Sequence, residues 1–196
     1  MPNLSLTFDT NQNTYTAVLL CGSTACTMDE ACVQDMCVQR GSLSFVGRWS
    51  RGNGQGHLIV RTPLNNTIYF GNPRINASAD GGGYEQVGDS RQGDHIYWPS
   101  NSAPPRGFYQ VCFSTGTLLN GSDTSPVTVT IQVRRNEQAM TTMTRTFNTS
   151  TRDVEECVDS SDTFIGSISS GIVVSERHTA LPIKIPSKIR CSASQF

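Results

Sequence analysis

Residues 127 to 133 read VTVTIQV, which puts Val127, Val129, Ile131 and Val133 on one face of an extended chain and Thr128, Thr130 and Gln132 on the other. Successive side chains of a strand point to opposite faces, so this alternation is the pattern of a strand buried on one side. The same period recurs at Leu4, Leu6 and Phe8, and at Leu43, Phe45 and Trp49. No stretch sustains a helical period, and only Thr151 to Val158 offers a single turn. Turn formers punctuate the strands at Gly52-Asn-Gly54, Asn65-Asn66, Gly81-Gly-Gly83, Pro104-Pro105 and Asn120-Gly121. After VTVTIQV, the residues Arg134 to Gln138 predict a loop of about five residues, closing a hairpin with a strand from Met140 to Phe147. The expected fold class is all-β: a β-sandwich, jelly-roll or immunoglobulin-like, whose two sheets pack their apolar faces together.

A chain of 196 residues suits one core with extensions better than two full domains. Its net charge is -1 and only 16% of its residues are charged, which supplies neither a basic stripe for nucleic acid nor a polybasic patch for a membrane surface. No run reaches the length of a bilayer-spanning helix, so no membrane insertion is expected. The opening MPNLSLTFDT lacks a basic stretch followed by an apolar one, so an export signal is expected to lie outside this sequence or to have been removed.

Four of the seven cysteines crowd into CGSTACTMDEACVQDMC as Cys21, Cys26, Cys32 and Cys37; Cys112, Cys157 and Cys191 lie far downstream. Structural zinc and iron–sulfur sites favour cysteine pairs two to four residues apart. The spacings here are C-x4-C, C-x5-C and C-x4-C with no histidine nearby, and no C-x-x-C redox pair is present. Disulfides explain the cluster more simply, because a loop with little core of its own gains about 2 to 4 kcal/mol per bridge. Four cysteines allow three pairings among themselves, and bridges to Cys112, Cys157 or Cys191 are equally open. Five Asn-x-Ser/Thr acceptors, at Asn3, Asn65, Asn76, Asn120 and Asn148, join the cysteines in pointing to an oxidising, extracellular location with N-glycosylation.

Catalysis finds little purchase. The histidines are His57, His95 and His178, and none belongs to a recognisable nucleophile or zinc-protease motif. His57 and His95 read as strand-edge residues, so no enzyme, cofactor or metal is expected. Glycan binding competes better: Trp49, Trp98, Tyr69, Tyr84 and Tyr97 offer a stacking platform, and Asp80, Glu85, Asp89 and Asp94 a calcium site. Against it, the aromatics alternate in phase with aliphatic core positions, which places Trp49 and Trp98 in the core, and the acids suit ordinary solvated turns.

Three pieces of the middle are distinctive: HLIVRTPLNNTIYFGNP at 57–73, HIYWP followed by APPRGFYQV within 95–111, and the Val/Thr hairpin. Across residues 41–148 they resemble a family of secreted bacterial β-sandwich domains of unknown function that often stand beside adhesion modules. The resemblance implies a β-sandwich with an extracellular, non-catalytic role. Members commonly carry two aspartates just before the first of these strands, where this chain has Gly54-Gln-Gly-His57, so a calcium site at that point is not carried over.

The expected organisation is an N-terminal extension (1–40) with a strand and a disulfide-stapled loop, a β-sandwich core (41–148) and a strand-bearing C-terminal extension (149–196). LSLTF near the start and LPIKIP near the end have the alternation of strands given to a neighbour's sheet, through Leu4, Leu6 and Phe8 and through Leu181, Ile183 and Ile185. Pro182 and Pro186 confine the second to an edge. An odd cysteine count leaves one sulfur to pair between chains, and a head-to-tail contact that does not close makes a filament. The expected function is a structural subunit of an extracellular fibril or pilus-like filament with copies of itself as partners. The alternative is a carbohydrate-binding or adhesion module.

Overall fold

The computed structural model describes residues 3–9, 11–12, 14–50, 54–74, 80–87, 93–119, 125–151, 157–169 and 173–176, and every regular element among the described residues is a strand. Strands β1 (Asn3–Asp9), β2 (Thr14–Cys21) and β3 (Thr24–Cys26) form a small sheet in chain order; β4 (Glu30–Val33) and β5 (Met36–Gln39) form a separate hairpin. One five-stranded sheet holds β6 (Gly41–Trp49), β9 (Gly83–Val87), β10 (Gly93–Pro99), β12 (Val127–Arg135) and β13 (Gln138–Phe147), in the order β13-β12-β6-β10-β9. The other holds β7 (His57–Arg61), β8 (Thr67–Ile68), β11 (Phe108–Ser114), β14 (Phe164–Ser169) and β15 (Val173–Glu176), in the order β15-β14-β11-β7-β8. We refer to them by their central strands as the β6 and β11 sheets.

The hairpin between β12 and β13 is tighter than its sequence predicts. Arg134 and Arg135 stay in the ladder, opposite Ser44 and Leu43 of β6, and only Asn136 and Glu137 turn, with φ of 45° and 66°. Two successive left-handed residues make the turn whose twist matches that of the flanking strands. Gln34 and Asp35 repeat this device, at φ 51° and 62°, between β4 and β5.

Both large sheets feed one hydrophobic cluster. Leu43, Phe45 and Trp49, with Ile96, Trp98 and the four inward residues of β12, meet Leu58, Val60, Tyr109, Val111, Phe113 and Ile168 of the β11 sheet. Rings cross the gap: Phe45 and Trp98 lie 5.8 and 5.4 Å from Tyr109, and Trp49 lies 5.2 Å from Phe113. Each such side chain, fully buried, contributes roughly 1.5 to 3 kcal/mol from removal of apolar surface. Two aspartates also join the sheets. The Asp94 carboxylate on β10 accepts from the backbone N–H of Leu58 on β7 at 2.7 Å. The indole Nε1–H of Trp98 donates to the Asp80 carbonyl at 2.6 Å, while the Asp80 carboxylate accepts from Thr62 and Asn66 beside β8.

The outer face of the β6 sheet is covered too. Val33, Met36 and Val38 of the β4–β5 hairpin pack on Val46 and Val87. Met36 lies so close to β10 that a Cβ on Gly93 would fall 2.4 Å from its sulfur. Beyond residue 148, Thr151 bonds Ser114 and Thr115, β14 pairs with β11 from Phe108 to Cys112, and β15 pairs with β14, so residues as far as Glu176 belong to the β11 sheet.

Candidate functional site

The cysteine cluster is spent on covalent structure. Cys21 bonds Cys32 and Cys26 bonds Cys37, an interlaced pairing in which each bridge spans eleven positions. The pairing follows from register: β2 pairs with β3, β4 pairs with β5, and the bridges tie the first pair to the second. Cys21, Cys26 and Cys37 are the one group of three candidate metal ligands among the described residues with donor atoms within 4.8 Å of one another. Their sulfurs are close because two disulfides lie side by side, and a disulfide sulfur is not the thiolate that zinc requires. Cys112 bonds Cys157. Cys191 lies outside the described residues.

His57 opens β7, as its sequence predicts, and His178 lies outside the described residues, but His95 is not a strand-edge residue. His95 sits on β10, flanked by β6 and β9, fully buried beneath the disulfide hairpin. Its Nδ1–H donates to Glu85 Oε1 at 2.6 Å, and the backbone N–H of Gln39 on β5 donates to the same oxygen at 3.1 Å. Glu85 therefore fastens the hairpin to the sheet. Burial holds the His95 pKa below its ordinary value against the opposing pull of Glu85. Its Nε2 has no hydrogen-bond partner among the described residues. His57 stacks on Phe70, with centroids 3.8 Å apart, and burial lowers its pKa as well.

The acids of the glycine-rich segment are not solvated turn residues either. Asp80 is 5% exposed and Asp94 fully buried. Burial pushes the Asp94 pKa up to about 7, although the bonds from Leu58 N–H and from the Tyr84 hydroxyl at 2.8 Å favour its charged form. Sequence reasoning named both but missed their burial, because an Asp in a Gly-rich stretch looks solvated until other strands come over it. Asp89 lies outside the described residues. Trp49 and Trp98, at 2% and 0% exposure, are core residues and form no outer platform; Tyr69, Tyr84 and Tyr97 are half-buried.

A concave surface lies on the outer face of the β11 sheet. It is a groove of about 560 Å³ whose lining includes Asn65, Arg106, Phe108, Gln110, Asp159 and Ser167. Parity explains it: in Phe108-Tyr-Gln-Val111, Tyr109 and Val111 enter the core, so Phe108 and Gln110 must point out. Phe108 is 56% exposed. The signal was present in GFYQVCF, where one large apolar residue stands out of phase with the others.

Asn65 and Asn148 are exposed, Asn65 in a left-handed turn at φ 62°. Asn3 begins β1, and Asn76 and Asn120 lie outside the described residues. Leu4, Leu6 and Phe8, expected to lie in an assembly strand, fall in β1, which pairs with β2 from Asn3↔Leu20 to Asp9↔Thr14 and is the outer strand of its sheet. Leu181, Ile183 and Ile185 lie outside the described residues. No helix among the described residues is long and apolar enough to cross a membrane. No family model, no curated protein and no solved structure matches the chain.

Proposed function

We propose that the protein is a structural subunit of an extracellular, self-assembling filament, built on a β-sandwich formed by the β6 and β11 sheets. Subunits join by strand addition through their terminal segments. The observation that carries this reading is cysteine arithmetic: three disulfides among the described residues use six of the seven cysteines in this sequence, and Cys191 is the seventh. It stands five residues beyond LPIKIP, the segment whose alternation and prolines suit a donated edge strand. A bridge from Cys191 to a neighbour would lock such a strand in place.

The N-terminal ladder narrows the mode of joining. Seven residues of β1 already pair with β2, so giving β1 away would break a formed hairpin, whereas adding a strand to its outer edge breaks nothing. Addition is the cheaper route than exchange. The low charge and the Asn-x-Ser/Thr acceptors support an extracellular, glycosylated surface. Negative-stain microscopy and sedimentation of the full chain test the proposal. Regular filaments are expected, lost on deletion of residues 178–196, with non-reducing peptide mapping placing Cys191 in an inter-chain bridge. A monodisperse monomer at high concentration would overturn it.

A further inference from the structure

The groove on the β11 sheet plays no part in strand addition. We propose that it is a saccharide-binding site, taking a neutral sugar unit of a glycan carried by another molecule. The surface shows three properties that such a ligand requires.

The first is a flat apolar ring in a polar frame. Phe108 leaves more than half its surface in water on a strand whose other large side chains are buried. An exposed ring offers a stacking face to the C–H side of a pyranose. The second is the set of groups around it. Arg106, Asp159, Asn65 and Gln110 are planar, and each presents two hydrogen-bonding atoms spaced to meet a pair of adjacent hydroxyls. One guanidinium and one carboxylate leave the lining without net charge, which fits a neutral polyol better than a phosphate or a basic peptide. The volume falls within the roughly 300 to 1,000 Å³ of small-ligand sites.

The third is rigidity, because weak polar contacts yield affinity only where the groups are already ordered. Every wall of the groove is pinned. The Cys112–Cys157 bridge ties the loop carrying Asp159 to β11, and Ser161 closes that loop on the Val158 carbonyl. The Tyr109 hydroxyl donates to the Pro105 carbonyl at 2.6 Å and holds the turn carrying Arg106. Gly107, at φ 132°, lets this turn approach Pro63, where a Cβ would lie 2.9 Å from the proline ring. Thr62 and Asn66 hold the Asn65 turn through Asp80.

The test is a glycan array probed with the full chain made in a host that adds no N-glycans, followed by titration calorimetry with the strongest binder. Binding is expected to a group of glycans sharing one sugar unit. Phe108→Ala is expected to weaken it about tenfold or more, the equivalent of about 1.4 kcal/mol, and Phe108→Tyr to retain it. Because Phe108 is exposed, an unchanged melting temperature will separate lost binding from lost fold. No binding on the array, or binding indifferent to Phe108→Ala, overturns the proposal. So does protein from a glycosylating host in which the sugar on Asn65 itself fills the groove and protects Phe108. Binding is read on monomeric protein, so failure of filament formation and failure of sugar binding are separate results.

Discussion

The β6 and β11 sheets share an inner face and differ on the outer one. The outer face of the β6 sheet is covered by a hairpin whose three apolar side chains meet two valines and whose Gln39 amide is held by Glu85, while two interlaced disulfides tie that hairpin to β2 and β3. On the outer face of the β11 sheet Ile59 and Cys112 are buried with Cys157 and Phe164, and the single disulfide there pins a loop at the rim of a groove beside Phe108. The difference teaches that cysteines in one chain serve two purposes. Where apolar surface is scarce they replace a core, as small disulfide-rich domains do; where the core is ample they set the position of a loop.

The strongest way to break this comparison is to attack what the sheets share. Trp98→Ala removes a ring packed on Phe45 and Tyr109 together with the bond to the Asp80 carbonyl, and should cost about 3 to 5 kcal/mol. Denaturant titration followed by amide exchange should show both sheets failing in one transition. If the β6 sheet keeps its protection after the β11 sheet has lost it, the core is not shared in the energetic sense.

The disulfides come next in size. Replacing Cys112 and Cys157 by serine opens a loop of sequence separation 45 and should cost about 4 kcal/mol across the whole fold; replacing Cys26 and Cys37 opens a separation of 11 and should cost about 3 kcal/mol. The location of the loss distinguishes them. In the second variant, exchange should quicken at Met36 and Gln39 while Leu43 to Trp49 stay protected. Equal loss throughout β6 would mean that the covering hairpin is part of the core.

The remaining prediction concerns pH. In the folded chain Asp94 titrates near 7, against the usual carboxylate value of 3.8 when unfolded. Between about pH 4 and about pH 7 the folded state thus holds a proton that the unfolded state has released, and stability contributed by Asp94 falls as pH rises through that window, then levels off. His57 and His95, whose pKa values burial depresses, act in the opposite sense: they lose stability as pH falls below their unfolded value of 6.5. Urea midpoints of wild type and Asp94→Asn isolate the first contribution. Wild type should lose ground against the variant on going from about pH 4 to about pH 7, and a constant difference would show that the Asp94 clasp does not titrate in this range.

Much of the double-sheet core was legible from period two alone. Val127 to Val133 and Leu43, Phe45 and Trp49 bury the faces that alternation assigns them, and Trp98 goes inside with Ile96 for the same reason. The groove was half legible, since the parity of Phe108 is a sequence fact, whereas the arrival of Asp159 and Asn65 beside it depends on β14 and β7 flanking β11. The length of the β12–β13 turn was misjudged because Arg134 and Arg135 look like loop residues until β6 offers them partners.

What the sequence determined by itself is therefore what acts locally: the strand period, the turns, the low charge, and an odd number of cysteines. What only tertiary structure decided is which distant groups meet. Cys21 finds Cys32, Asp94 finds the Leu58 amide of the other sheet, and His95 disappears beneath a hairpin some sixty residues earlier in the chain. Burial and pairing depend on the face another segment brings, and a residue's own neighbours in sequence carry no record of that face.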